Sequence, residues 1–296
     1  MSDFRPWALD ILTTPDAAFD LADQLGMSDD YIHAHPLPAT PLGVSLFDAP
    51  NGQMRVQALY ETQADAVATQ SALGVDATIT QLPETDWVSV TQAGLPPVHA
   101  GRFFLYGSHD ADKIPAEAVG ILIDAGMAFG TGHHGTTAGC LRIFDQLLTV
   151  GQTAASVLDL GCGAGVLAIA AAKSLPASSR ILATDIDPDA IEVTDSNAAL
   201  NRVTARISAH VADGFDSPAL RGETFDLIFA NILAGPLMGL APDIAAACAA
   251  NGHVILSGIL DEKAALVGAA FDAVGFHITP QPSLDGWTSL LGVKRA

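Results

Sequence analysis

Cysteine is scarce in this chain, positive charge is scarcer still relative to negative, and long apolar runs are missing. Cys140, Cys162 and Cys248 are its three cysteines. They are too few and too widely spaced to frame a disulfide scaffold or a tetrahedral zinc site, and are read as buried or incidental thiols. Lys and Arg number 13 against 33 Asp and Glu, for a net charge of −20. That balance excludes a broad nucleic-acid surface, which needs clustered cations to displace phosphate counterions. A basic protein partner suits it better. The apolar content is 49%, yet no stretch approaches the roughly 18 to 20 uninterrupted apolar residues of a membrane span. The opening MSDFRPWALDILTT has no basic region followed by an apolar run of the kind export requires, so cytoplasmic residence is expected.

At 296 residues the chain exceeds one compact domain, and a large domain with a smaller one is the expectation. Charge is divided unevenly between them. Residues 1–96 hold 2 basic and 13 acidic side chains, a net of −11, leaving −9 for the longer remainder. This excess is either ordinary solubility charge or a field that steers a basic substrate.

The first segment reads as WALDILT in a strand, Pro15 to Leu25 in a helix closed by Gly26, and GVSLFDA and MRVQALYE in strands. Gln63 to Leu73, stopped by Gly74, reads as a helix, and ATITQL as a last strand. The order β-α-β-β-α-β is that of a ferredoxin-like α+β sandwich. Asn51-Gly52 is the dipeptide expected in a tight hairpin between the middle strands. HAHPLPATPLG at 33–43 reads as an irregular connection. The predicted domains are 1–84, a linker at 85–100, and 101–296.

Beyond residue 100, apolar strands alternate with Ala-rich helices: SVLDLG, VLAIAAAKSL, RILATDID, PDAIEVTDSNAALN. FDLIFANIL and HVILSGIL add buried strands, Glu262 to Val274 a helix, and FHITPQP with WTSLLGVK a terminal hairpin. This is α/β architecture.

In VLDLGCGAGVLAIAA a buried strand ends at Asp159-Leu160, Gly161, Gly163 and Gly165 make a turn, and an apolar helix follows. Such a turn either admits a nucleotide-like ligand at the strand's carboxyl end or is purely structural. The spacing is G-x-G-x-G, because Val166 stands where a dinucleotide fingerprint would need its third glycine. Asp185 ends the next strand at the distance one helix and one strand require, where a carboxylate can accept both ribose hydroxyls. Asp187 and Asp189 flank Pro188 and read as helix caps. Asp213 reads equally as an adenine contact or as a turn residue before Gly214.

GMAFGTGHHGTTAGCL at 126–141 and ANILAGPLMGLAP at 230–242 are unusual strings. With VLDLGCGAG, TDIDPDAI and GWTSLLG they resemble the ribosomal protein L11 methyltransferase family, PrmA, across roughly residues 85–296. The resemblance implies a Rossmann-like seven-stranded methyltransferase sheet of class I, with the small ferredoxin-like domain recognising substrate. It implies S-adenosylmethionine as cofactor, contacted by Thr137, Gly161, Asp185 and Asn231, with Gly163 beside them. It implies methyl transfer to α-amino and lysine ε-amino groups of the large-subunit ribosomal protein L11. Many members carry Thr-His-Pro where this chain has His133-His134-Gly135.

No catalytic residue is assigned, although carbonyl acceptors around Asn231 would aim an amine's lone pair. No metal is expected, since adjacent His133 and His134 in a Gly-rich loop rarely both face one ion. Trp287 reads as a core aromatic sooner than as a wall of the cofactor pocket. Residues 85–100 would act as a hinge. Two rival functions are carried: methylation of another protein lysine or a small amine, and a non-catalytic ribosome-assembly factor that binds the cofactor.

Overall fold

The computed structural model describes residues 5–22, 24–25, 37–82, 97–123 and 135–295. The chain divides into two compact units, Met1–Trp87 and Val88–Ala296.

The first unit runs β1 (Trp7–Thr13), α1 (Pro15–Ala22), β2 (Gly43–Ala49), β3 (Gln53–Tyr60), α2 (Gln63–Leu73) and β4 (Thr78–Gln81). Its sheet has the order β2-β3-β1-β4 with every pair antiparallel. Alternation along the strands turns Leu9, Ile11, Val56, Ala58 and Tyr60 into one core with Ala18 and Ala66 of the helices. Helix α2 is fixed at both ends: the Thr62 hydroxyl accepts the Asp65 N–H at 3.2 Å, and Gly74 closes it at φ 63°. The hairpin differs from the two-residue turn expected at Asn51-Gly52. Pro50, Asn51 and Gly52 form one 3-10 turn between Ala49 and Gln53, which face each other. Only Gly52 has positive φ, at 72°. Proline's fixed φ favours a right-handed turn start, so the loop takes three residues and ends in a left-handed glycine.

The second unit opens with a three-stranded sheet that has no counterpart in the sequence reading: β5 (Val98–Ala100), β6 (Phe103–Tyr106) and β7 (Val119–Leu122). Strand β5 occupies the end of the segment read as a linker, and residues 85–96 of that segment lie outside the described residues. Then come α3 (Gly135–Thr149), β8 (Ser156–Leu160), α4 (Val166–Ser174), β9 (Arg180–Asp185), α5 (Pro188–Leu200), β10 (Ile207–Val211) and β11 (Phe225–Asn231). The chain ends with α6 (Ala234–Gly239), α7 (Ala241–Ala247), β12 (Cys248–Leu260), α8 (Ala264–Ala273), β13 (Phe276–Pro280) and β14 (Trp287–Lys294).

The large sheet has the order β10-β9-β8-β11-β12-β14-β13. Its first five strands are parallel, and β14 runs antiparallel to both of its neighbours. Consecutive residues feed opposite cores. Val157, Ile181, Leu227, Phe229 and Ile255 pack on the α3 and α4 side. Leu158, Leu182, Ile228, Leu256 and Ile259 pack on the α7 and α8 side. Burial on both faces is why these strands read as continuous apolar runs. Strand order reverses between β8 and β11, which opens a crevice at their carboxyl ends.

Candidate functional site

Four chain segments meet at that crevice: the β8–α4 turn, the end of β9, the end of β11 and the first turn of α3. In the β8–α4 turn Gly161, Gly163 and Gly165 have φ of 71°, 52° and 75°. The left-handed region is open to glycine and costly for other residues. At Gly161 a second constraint applies, because an added Cβ would collide with the Ile232 side chain.

Side chains from behind hold this turn. Asp159 is buried and accepts the Ala168 N–H at 2.8 Å, tying β8 to α4. Burial pushes its carboxyl up to about 7, with the Ala168 hydrogen bond opposing and the nearby Asp185 charge adding. From α5, the Thr194 hydroxyl donates to the Gly163 carbonyl at 2.9 Å and the Asn197 amide to the Ala164 carbonyl at 3.0 Å. The N–H groups of Gly161 and Cys162 donate to the Thr184 carbonyl at 2.8 and 3.0 Å. Thr194 and Asn197 were missed as site supports. The signal was two polar residues three apart on the face of a helix that must pack inward.

Asp185 is half-buried at the end of β9. Its Oδ2 accepts the Gly163 N–H at 2.9 Å and its Oδ1 the Asp187 N–H at 3.1 Å. Each carboxylate oxygen has a further lone pair, so the group can accept two more donors. Asp187 caps α5 by accepting the Asp189 N–H at 2.9 Å, and Asp189 lies in the first turn. Asp213 is exposed in a turn that its carbonyl closes on the Asp216 N–H at 3.0 Å, with Gly214 at φ 54°.

Across the crevice, Asn231 ends β11 and its Nδ2 donates to the buried Thr137 hydroxyl of α3 at 3.2 Å. Behind them the Ser257 hydroxyl of β12 donates to the Thr136 carbonyl at 3.1 Å and shares a 2.8 Å bond with Ser289 of β14. Gly161, Gly163 and Asp185 are thus joined in one hydrogen-bonded frame, and Asn231 with Thr137 in a second. Gly161 is packed on Ile232, the residue after Asn231. Trp287 is half-buried at the start of β14, opposite Leu260.

His133 and His134 lie outside the described residues. Among the described residues no group of three or more His, Cys, Asp or Glu is placed to hold a metal. The three cysteines are buried free thiols, all pushed up by burial. A small cavity lined by Phe144, Gln152, Asp226 and His253 lies at the amino ends of the same strands, away from the carboxylates and glycines described above. No described helix is long and apolar enough to cross a membrane.

The family described as ribosomal protein L11 methyltransferase (PrmA) matches residues 41–295. That match reaches back into the first unit, whereas the strings carrying the resemblance lay beyond residue 85. The ribosomal protein L11 methyltransferase of Brucella suis (strain ATCC 23445 / NCTC 10510) is 44% identical over 260 residues, covering 84% of this chain and 88% of that protein. That of Rhodopseudomonas palustris (strain BisB5) is 46% identical over 230 residues, covering 77% of each. A crystal structure of a ribosomal protein L11 methylase from Lactobacillus delbrueckii subsp. bulgaricus aligns with a TM-score of 0.58 at 28% identity, over 68% of this chain and 99% of that one.

Proposed function

The chain belongs to the ribosomal protein L11 methyltransferase family, and on that premise we propose that it transfers methyl groups from S-adenosylmethionine to α-amino and lysine ε-amino groups of ribosomal protein L11. The observation that carries this reading is the pair of frames facing one crevice: a glycine turn locked to a strand-end carboxylate, and a neutral amide held on a hydroxyl.

The first frame fits the cofactor. Positive φ at Gly161 and Gly163 brings bare backbone to the crevice, where it would hold the methionine and ribose portions. Asp185 keeps lone pairs for the two ribose hydroxyls while its backbone bonds hold the turn. Thr137 and Asn231, bonded to each other, would border the cofactor's reactive end. When bound, S-adenosylmethionine supplies an electrophilic methyl group on a positively charged sulfur and leaves as a thioether.

The second frame handles the amine. An amine must be neutral to attack; at about pH 7.5 an α-amino group is roughly one third neutral and an unperturbed lysine about one part in a thousand. With Nδ2 of Asn231 committed to Thr137, its Oδ1 is the end of the amide that can accept an amine N–H and aim the lone pair. Partial desolvation beside a positively charged sulfur would lower the lysine pKa. The chain's own task is therefore to position, orient and exclude water.

Residues 1–84 serve as the substrate-recognition domain in this reading. The excess of negative charge there complements a basic ribosomal protein. The cytoplasm, where ribosomal proteins are made, is the matching location. The hinge expected at 85–100 falls largely on residues outside those described.

The test is incubation of the purified chain with methyl-labelled S-adenosylmethionine and separated, undermethylated large-subunit proteins, each then weighed intact. Mass gains in single-methyl steps confined to L11 are expected. Gains on other proteins instead would assign another amine substrate. Cofactor binding with no gain anywhere would leave a binding factor.

A further inference from the structure

Asp261 follows the last residue of β12 and is exposed, yet it makes three hydrogen bonds to one turn. Its carboxylate accepts the Thr288 hydroxyl at 2.6 Å and the Ser283 hydroxyl at 2.7 Å, and its N–H donates to the Gly286 carbonyl at 3.1 Å. The turn so gripped joins β13 to β14. Leu284 and Trp287 exchange backbone bonds of 2.8 and 2.9 Å, and Asp285 and Gly286 between them have φ of 52° and 84°. That is a two-residue primed turn, closed by two backbone bonds.

This turn abuts α3. The Leu284 carbonyl oxygen lies where a Cβ at Gly135 would come within 2.6 Å, so the two backbones touch. One helical turn on, Gly139 sits directly against the Ser289 hydroxyl. The start of α3 is therefore packed directly on the 284–289 segment, and its first turn carries Thr137, the partner of Asn231.

We propose that Asp261 is a positioning residue for the amine site: by clamping the 283–288 turn against Gly135 it fixes Thr137, and through Thr137 the orientation of Asn231. The inference rests on the reading of Asn231 as the group that orients the amine. The two hydroxyls also hold the Asp261 carboxyl below the usual carboxylate range, so the clamp stays charged at neutral pH.

The full-length chain with Asp261→Ala and with Asp261→Asn tests this, each also in an Asn231→Ala background. In the cofactor-free chain, amide hydrogen exchange at residues 139–141 should quicken with Asp261→Ala. Methyl transfer to L11 should fall about tenfold in kcat while cofactor affinity stays within about twofold, because a small misplacement of an orienting group acts on the reacting geometry. Asp261→Asn, which keeps one acceptor oxygen, should fall between parent and alanine variant. In the Asn231→Ala background, Asp261→Ala should cost less than about twofold more, since residues acting through one another are not additive. An equal cost in both backgrounds, or unchanged exchange at 139–141, overturns the proposal. The exchange readout needs no substrate, so an inactive parent chain would reject the functional reading separately from the clamp.

Discussion

The two sides of the crevice hold their polar groups in different ways. On the β8–β9 side, main-chain conformation makes the surface, and side chains from behind grip carbonyls and N–H groups: Asp159 on Ala168, Asp185 on Gly163, Thr194 on Gly163, Asn197 on Ala164. On the β11–β12 side the surface is made by side chains that hold one another or a helix carbonyl: Asn231 on Thr137, Ser257 on Ser289 and Thr136. A backbone surface breaks when sterics change. A side-chain surface loosens one hydroxyl at a time. The first suits a cofactor of fixed shape, and the second suits acceptor amines presented from different positions on a protein.

Gly161→Ala should break the first side most severely, because the new Cβ meets both a positive φ and the Ile232 side chain. Calorimetric titration should show cofactor affinity reduced at least about a hundredfold, and urea unfolding a stability loss of about 1–3 kcal/mol. Ser257→Ala should act on the second side in the graded way. Removing a fully buried hydroxyl with two partners costs about 1–3 kcal/mol in stability. Transfer should slow by about threefold as Thr137 loosens, with cofactor affinity unmoved.

A pH-dependent effect separates charge from shape behind the glycine turn. The folded chain holds the Asp159 proton up to about pH 7, whereas the unfolded chain loses it near 4. A raised folded pKa contributes stability that is full below the unfolded value and is lost as pH rises through the folded one. Parent Tm should therefore carry a downward slope between pH 4.5 and 7.5, to about the extent that this one buried carboxyl titrates. Asp159→Asn, which keeps an oxygen for the Ala168 N–H, should flatten that slope. Equal slopes in both proteins would remove Asp159 as its source.

Sequence alone shows these two sides unequally. The glycine turn and Asp185 were legible because a strand, a turn and a helix are contiguous there, and backbone demands select residue types directly. The strands of the large sheet were legible for a related reason, being buried on both faces. Helix α3 was not read as a helix, since its start, Gly135-Thr136-Thr137, has poor helix formers that meet the Leu284 turn, Ser257 of β12 and Asn231 of β11. The small sheet β5-β6-β7 escaped because its strands are only three or four residues long. β12 runs from Cys248, five residues earlier than the apolar run suggests, through a kink with Asn251 at φ 62°. Ser257, Ser289 and Asp261 could not be found from spacing, since their partners lie 22 to 121 residues away and only the folded sheet brings them together.

The most direct test of the division between the two sides is one experiment on two variants, Asp185→Asn and Asn231→Ala. Cofactor dissociation constants and single-turnover methyl transfer at saturating cofactor would be measured on the same preparations. Opposite outcomes are expected. Asp185→Asn raises the dissociation constant about 10- to 100-fold with little change in the saturated rate, as loss of charge-assisted bonds to a ligand should. Asn231→Ala lowers the saturated rate about a hundredfold and moves the dissociation constant less than about threefold. If Asn231→Ala instead weakened the cofactor and left the saturated rate intact, the amine would be oriented by some other group and the division would be wrong.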